Sequence, residues 1–145
     1  MMNDNLENQS INANLVAEEV SQEGTSTYVD VRTVVEFATN RPKGRAVNIP
    51  IVFFHPTTKE EHPNPAFELV AQYALKKDDV LIVGGDSDSR VLEAATRLQA
   101  AGFLNIRILR KGVDEWKEAN LPLTGDNRPG VSYASLLTDA RREKK

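Results

Sequence analysis

The sequence predicts an α/β fold, a parallel sheet with helices on both faces, and three observations carry that expectation. Val80-Leu81-Ile82-Val83 is an unbroken apolar run of the length that a strand buried on both faces requires. Three further β-rich runs, Tyr28-Val29-Asp30-Val31, Ala46-Val47-Asn48-Ile49 and Ile106 to Leu109, lie along the chain. Between the runs lie segments whose apolar residues recur at helical spacing. That alternation implies right-handed βαβ crossovers and about five parallel strands. The 145 residues suit one domain with one core, without need of disulfides or metals.

Each element has its own signal. Residues 1–9 are polar and Asn-rich and read as a flexible start. Asn12 can cap a helix carrying Leu15, Val16 and Val20, which ends near Ser21 to Gly24. Thr33 can cap a short helix with Val35, Glu36 and Phe37, and Asn40 to Arg45, with Pro42 and Gly44, reads as a turn. Phe53 to Pro65, holding His55, Pro56, His62 and Pro63, reads as a long surface loop. Phe67, Val70, Ala71 and Ala74 follow the i, i+3, i+4, i+7 pattern of a helix over 66–75, which Asp78-Asp79 ends. A second stripe, Val91 or Leu92, Ala94, Ala95 and Leu98, marks a helix from about Arg90 to Ala101 with Gly102 as its C-cap. Gly112 precedes a helical turn around Trp116, and Pro122 ends it. The domain proper is expected over 10–125, with 126–145 a linker and a short helix (Tyr133, Leu136, Leu137) ending in Arg141-Arg142-Glu143-Lys144-Lys145.

Composition removes several function classes. Net charge is −3 with both signs mixed along the chain, which argues against nucleic-acid binding, since that needs a basic face. The chain has no cysteine, so thiol and persulfide chemistry, a disulfide framework and cysteine metal sites are all closed to it. No apolar h-region follows a basic start, and no apolar run approaches the ~20 residues that span a bilayer. A cytoplasmic protein with no membrane partner and no cofactor or metal is the expectation.

Ligands on parallel sheets sit beyond the carboxyl ends of strands. That rule directs attention to Asp30 and Arg32 and to Gly85-Asp86-Ser87-Asp88-Ser89-Arg90. The second segment runs from a buried strand into a helix N-terminus, where unpaired N–H groups and the helix dipole favour an anion. A cysteine at its first position would have a lowered pKa and be a good nucleophile. Gly85 stands there.

The order of motifs resembles a single-domain rhodanese of the thiosulfate sulfurtransferase family, over roughly Ile11 to Leu123. It rests on Tyr28-Val29-Asp30-Val31-Arg32 followed by Glu36-Phe37, on Gly44-Arg45-Ala46-Val47-Asn48-Ile49-Pro50, and on the loop ending in Arg90 after Val80–Val83. Ala101-Gly102-Phe103, Asn105-Ile106, Lys111-Gly112-Val113, Trp116 and Leu121-Pro122 complete it. The resemblance implies a six-residue loop opened by a cysteine that takes up a sulfane sulfur as a persulfide and passes it to an acceptor. Counting back from Arg90 places that cysteine at position 85, where this chain has glycine. Asp86 and Asp88 also depart from the family, and carboxylates there oppose an anionic sulfur donor. Arg45 and Lys111 stand where the family has glycine.

The expectation is therefore a non-catalytic binding or regulatory module, holding an unknown small anion or a protein partner on the loop Gly85–Arg90, with Asp30 and Arg32 in support. The alternative is a thiosulfate or persulfide sulfurtransferase whose natural residue at position 85 is cysteine. For the loop itself a second reading stays open, a connection kept only because the fold needs one. Asp30 and Arg32 read as a pair bracing adjacent loops more than as ligand contacts. Gly85-Asp86-Ser87 also resembles a serine-esterase block, but that needs a downstream histidine, and His55 and His62 lie upstream. A magnesium site at Asp86 and Asp88 and a metal site at the two histidines lack supporting ligands. A last reading makes Phe53, Phe54 and the 133–137 helix an assembly interface.

Overall fold

A computed structural model describes Asn14, Val16, Ala17 and Val20 and residues 26–55, 57–85, 87–109, 113–125 and 132–143. Strands β1 (Ser26–Asp30), β3 (Ala46–Asn48), β6 (Val80–Gly84) and β7 (Ile106–Leu109) form one parallel sheet in the order β3-β1-β6-β7. The parallel α/β sheet is as expected, but it has four strands rather than about five. The remaining strands pair outside it, both antiparallel: β2 (Arg41–Pro42) with β8 (Leu123–Thr124), and β4 (Val52–Phe54) with β5 (Glu61–Pro63).

Successive residues of β6 point to opposite faces, and both faces are covered. On one side Leu81 and Val83 join Val29, Val31, Phe67 and Leu98 in the larger core cluster. Helices α2 (Phe67–Ala74), α3 (Asp88–Ala100) and α5 (Tyr133–Glu143) supply that side. On the other side Ile82 meets Tyr28 of β1, Phe37 of α1 (Val34–Thr39) and Trp116 of α4 (Val113–Glu118), together with Val16 and Val20. Asn14, Val16 and Ala17 are helical, as the first stripe predicts; its cap Asn12 and its Leu15 lie outside the described residues, as do residues 1–9 and 126–131.

Local signals explain most boundaries. The Thr33 hydroxyl accepts the Glu36 N–H while Glu36 accepts from the Thr33 N–H, a capping box that starts α1. Gly102 takes φ +105° after α3, a conformation in which glycine avoids the Cβ penalty. Trp116 is buried and its Nε1 donates to the Pro122 carbonyl at 2.6 Å, fixing the end of α4.

Three expectations need correction. The stretch 40–45 is not simply a turn: Arg41 and Pro42 form β2, a two-residue edge strand of the kind that tolerates proline. The stretch 53–65 is not a featureless loop, because Val52–Phe54 and Glu61–Pro63 close a hairpin with Pro63 on its edge strand. The prolines and histidines hide this in the sequence; what settles it is tertiary, with the Phe53 ring 5.9 Å from the Tyr133 ring. The helix expected from Arg90 starts at Asp88 instead, with Ser87 as N-cap. Asp88 and Ser89 carry no apolar stripe, so periodicity misses this first turn.

The C-terminal helix joins the same core. Tyr133, Leu136 and Ala140 are buried in the larger cluster, and the Tyr133 hydroxyl donates to Asn64 Oδ1 at 3.2 Å. These side chains are used internally, while Phe54 stays 37% exposed.

β1 and β6 meet closely at one point. A Cβ on Gly84 would lie 2.2 Å from the Tyr28 hydroxyl oxygen and 2.6 Å from two of its ring carbons. Among the described residues that buried hydroxyl has no hydrogen-bond partner. Gly84→Ala is expected to cost about 1–3 kcal/mol in urea unfolding. Tyr28→Phe alone, which removes an unpartnered hydroxyl, should be nearly neutral, and combining the two should recover part of the loss.

Candidate functional site

From β1 the chain crosses to β3 on one side, and from β6 to β7 on the other, so the carboxyl ends of β1 and β6 flank a topological switch point. The segments leaving these ends are tied together, the Val31 N–H donating to the Gly84 carbonyl at 3.0 Å. Gly85 is buried and is the first residue after β6, the position expected of it. A Cβ there would stand 3.1 Å from Val31 Cγ2 and 3.2 Å from Val91 Cγ2, tighter than ordinary van der Waals contact. Ser87 is extended (φ −149°, ψ 129°), and its hydroxyl lies 3.1 Å from that of Ser89. Asp86 lies outside the described residues, and Asp88 opens α3.

Arg90 lies in the first turn of α3. It forms an ion pair with Glu61 of β5, and its guanidinium carbon sits 4.9 Å above the Phe54 ring of β4. Sequence reasoning singled out Arg90 but missed Glu61 and Phe54. The pairing Phe54↔Glu61 would have exposed them, but only to a reader who had already found the hairpin.

Asp30 and Arg32 are brought together as a brace. Asp30 is fully buried and Arg32 is 8% exposed. Asp30 Oδ2 accepts from Arg32 Nη2 at 2.8 Å, and Oδ1 accepts from Arg32 Nε and from its backbone N–H, each at 3.0 Å. Arg32 Nη2 also donates to the Asn40 carbonyl at the end of α1, at 2.7 Å. Asn48 Nδ2 donates to the carbonyls of Asp30 and Arg32, each at 3.0 Å, linking β3 to the same turn. Burial pushes the Asp30 carboxyl above its ordinary range, against the hydrogen bonds and charge of Arg32 that pull it down. Burial works against the Arg32 charge, but Asp30 outweighs it and holds the guanidinium more firmly protonated.

The two histidines sit on the hairpin, His62 in β5 and His55 just after β4. His55 Nδ1 accepts the N–H groups of Thr57 and Thr58, both at 3.1 Å. Among the described residues no group of three or more His, Asp and Glu side chains is placed to hold a metal ion. Among them, too, no helix is long and apolar enough to cross a membrane.

Removing one partner of a buried ion pair leaves the other charge uncompensated, at about 3–5 kcal/mol. Arg32→Met is expected to lose that much stability at about pH 7. Its Asp30 would then have a folded-state pKa well above the unfolded one, so the folded state binds the extra proton as pH falls. The deficit relative to the parent should therefore shrink between about pH 7 and pH 4. Urea unfolding across that range checks it; a deficit that widens toward low pH would show the sign to be wrong.

Residues 12–119 match the family model described as the rhodanese-like domain. The senescence-associated protein DIN1 of Raphanus sativus is 34% identical over 108 residues, 74% of this chain and 57% of that protein. Rhodanese-like domain-containing protein 15 of Arabidopsis thaliana, named as chloroplastic, gives the same figures, so this chain spans 57% of the length of each. Thiosulfate sulfurtransferase 18 of Arabidopsis thaliana is 31% identical over 136 residues, 86% of this chain and 98% of that protein. Among solved structures, the crystal structure of the Alr3790 protein of Anabaena shares the fold with a TM-score of 0.67 at 21% identity, covering 93% of this chain and 94% of that one. By sequence match over most of its length and by a shared fold, the chain belongs to the rhodanese-like domain family.

Proposed function

We propose that this rhodanese-like domain is non-catalytic, a binding or regulatory module that holds a small anion or a protein partner at the crevice beyond β1 and β6. The observation that carries the reading is Gly85. It stands first after β6, buried, without a side chain, in a chain that has no cysteine anywhere. Sulfur transfer by the family route needs a thiolate to accept the sulfane sulfur, and Ser87 and Ser89 cannot form a comparably stable adduct. What remains is the crevice itself, beside the first turn of α3, the helix that carries Arg90. A cytoplasmic location belongs to the same proposal, and recovery of the chain in an organelle or membrane fraction would contradict it.

A second reading is favoured by one relative, thiosulfate sulfurtransferase 18, which aligns along 98% of its own length. In that reading the natural residue at position 85 is cysteine and the protein is a thiosulfate or persulfide sulfurtransferase. The natural coding sequence separates the two, and a cysteine codon at position 85 would reverse the preference.

The test of the main reading is direct. The chain as written is expected to transfer no sulfur from thiosulfate to cyanide above the uncatalysed background, and turnover above it would refute the proposal. Gly85→Cys is expected to lower stability by about 1–3 kcal/mol in urea unfolding, because the added atoms press on Val31 and Val91. A Gly85→Cys variant as stable as its parent would mean that the site still accommodates a thiol.

A further inference from the structure

Helix α5 lies outside residues 12–119, the stretch that carries the family match, yet it is built into the core. Its apolar residues Tyr133, Leu136, Leu137 and Ala140 fall at i, i+3, i+4 and i+7, and the helix packs on α2. Tyr133, at its first position, also reaches the β4–β5 hairpin in two ways. Its ring stands 5.9 Å from the Phe53 ring of β4, and its hydroxyl donates to Asn64 Oδ1 at 3.2 Å. Asn64 follows directly on β5 and is buried. It donates its N–H to the Ile51 carbonyl at 3.0 Å and its Nδ2 to the Pro50 carbonyl at 2.8 Å. Its Oδ1 also accepts the Ala66 N–H at 2.9 Å, just ahead of α2. One side chain of α5 thus touches the ring at the middle of β4 and the residue at the hairpin's root.

We infer that α5 is a latch on the β4–β5 hairpin: the order of the hairpin depends on α5 being docked, and the two elements tighten or loosen together. Neither is built to stand alone. α5 has 11 residues, and isolated helices shorter than about 12–15 residues are marginal in water. A two-stranded hairpin is marginal in the same way, and β4 and β5 have three residues each. Each element therefore draws its order from what it packs on, and Tyr133 is where they pack on one another. The latch does not rest on what the crevice binds.

The hairpin is gripped on its two faces by different helices. Successive strand residues point to opposite faces, so Phe53 turns toward Tyr133 while its neighbour Phe54 turns the other way. There the Phe54 ring and the Glu61 carboxylate contact Arg90 in the first turn of α3. The Arg90 and Glu61 side chains are 26% and 50% exposed, and an ion pair so open to water is weak and screened by salt. The contact from α5 is of another kind, a buried tyrosine that stacks near a ring and bonds a buried asparagine. Compared with the ion pair, it is the firmer hold.

The test is amide hydrogen exchange on the full chain, read residue by residue by NMR. The probes are the amides of His55 and Asn64, which donate to the Glu60 and Ile51 carbonyls in the hairpin. The references are the amides of Val31 and Leu81, which donate to the Gly84 and Asn105 carbonyls at the parallel sheet. Leu136→Ala weakens the docking of α5 and leaves Tyr133 in place. It is expected to speed exchange at His55 and Asn64 about tenfold or more, and at the references less than about threefold. Tyr133→Phe keeps the ring, loses the hydroxyl, and should speed the same two amides about two- to tenfold. Because coupling is reciprocal, Phe53→Ala should speed exchange at Leu137 and Ala140 in α5. Hairpin amides that speed up no more than Val31 and Leu81 would make α5 a general buttress and overturn the latch. Exchange in α5 that is unmoved by Phe53→Ala would overturn it too. Should Leu136→Ala fail to fold, Tyr133→Phe and Phe53→Ala carry the same comparison.

Discussion

A parallel sheet offers its ligand crevice at the carboxyl ends of two neighbouring strands, and something must hold those ends at a fixed distance and angle. Here the buried ion pair Asp30–Arg32 does so. It engages the end of β1, the Asn40 carbonyl that terminates α1 and, through Asn48, the end of β3. The backbone bond from Val31 to Gly84 then fixes β6 to the same point. Two charges are costly to bury, and a pair is tolerated where geometry is good and the remaining lone pairs and protons are satisfied. This pair meets that condition with five hydrogen bonds from the Arg32 side chain and backbone. The position of the segment beginning at Gly85 follows from it.

Much of this was legible in the sequence, and the rest was not for identifiable reasons. Val80–Val83, Val29 and the stripe Val91, Ala94, Ala95, Leu98 announce themselves because burial demands apolar residues at fixed periods. Thr33 and Glu36 announce the start of α1 because capping needs those two residue types three apart. Gly85 was placed at the end of β6 by the resemblance as much as by its neighbours. The hairpin was invisible, because strands of three residues with proline at one end carry no period, and their pairing is fixed by packing of Phe53 on a helix that lies far along the chain. The same holds for β2 and β8, each two residues long. Arg90 could be chosen as a site residue, but its partner Glu61 is set by a contact across the fold, which no local pattern encodes.

The unequal strength of the ion pairs around the crevice has a common physical origin in their exposure. Asp30 and Arg32 lie where water cannot compete, so their bond is a permanent part of the fold. Arg90 and Glu61 lie at the rim, where water and salt compete with each partner. A rim pair so open to water contributes little to stability. The two pairs thus differ in kind, one fixed inside the fold and the other open to solvent.

The surroundings of Gly85 bear on whether the missing side chain is an isolated loss. Deleting a side chain from a close-packed interior while its neighbours stay in place leaves a cavity, because surrounding structure relaxes only partly. Little room of that kind is kept at position 85. The γ-methyls of Val31 and Val91 stand 3.1 and 3.2 Å from where a Cβ would be, inside the range of comfortable contact. Val31 comes from the turn after β1 and Val91 from the first helical turn after the loop, so two separate elements have closed over the place. A side chain at position 85 would therefore need Val31 and Val91 to give by a few tenths of an ångström, a close fit that accords with the glycine found there.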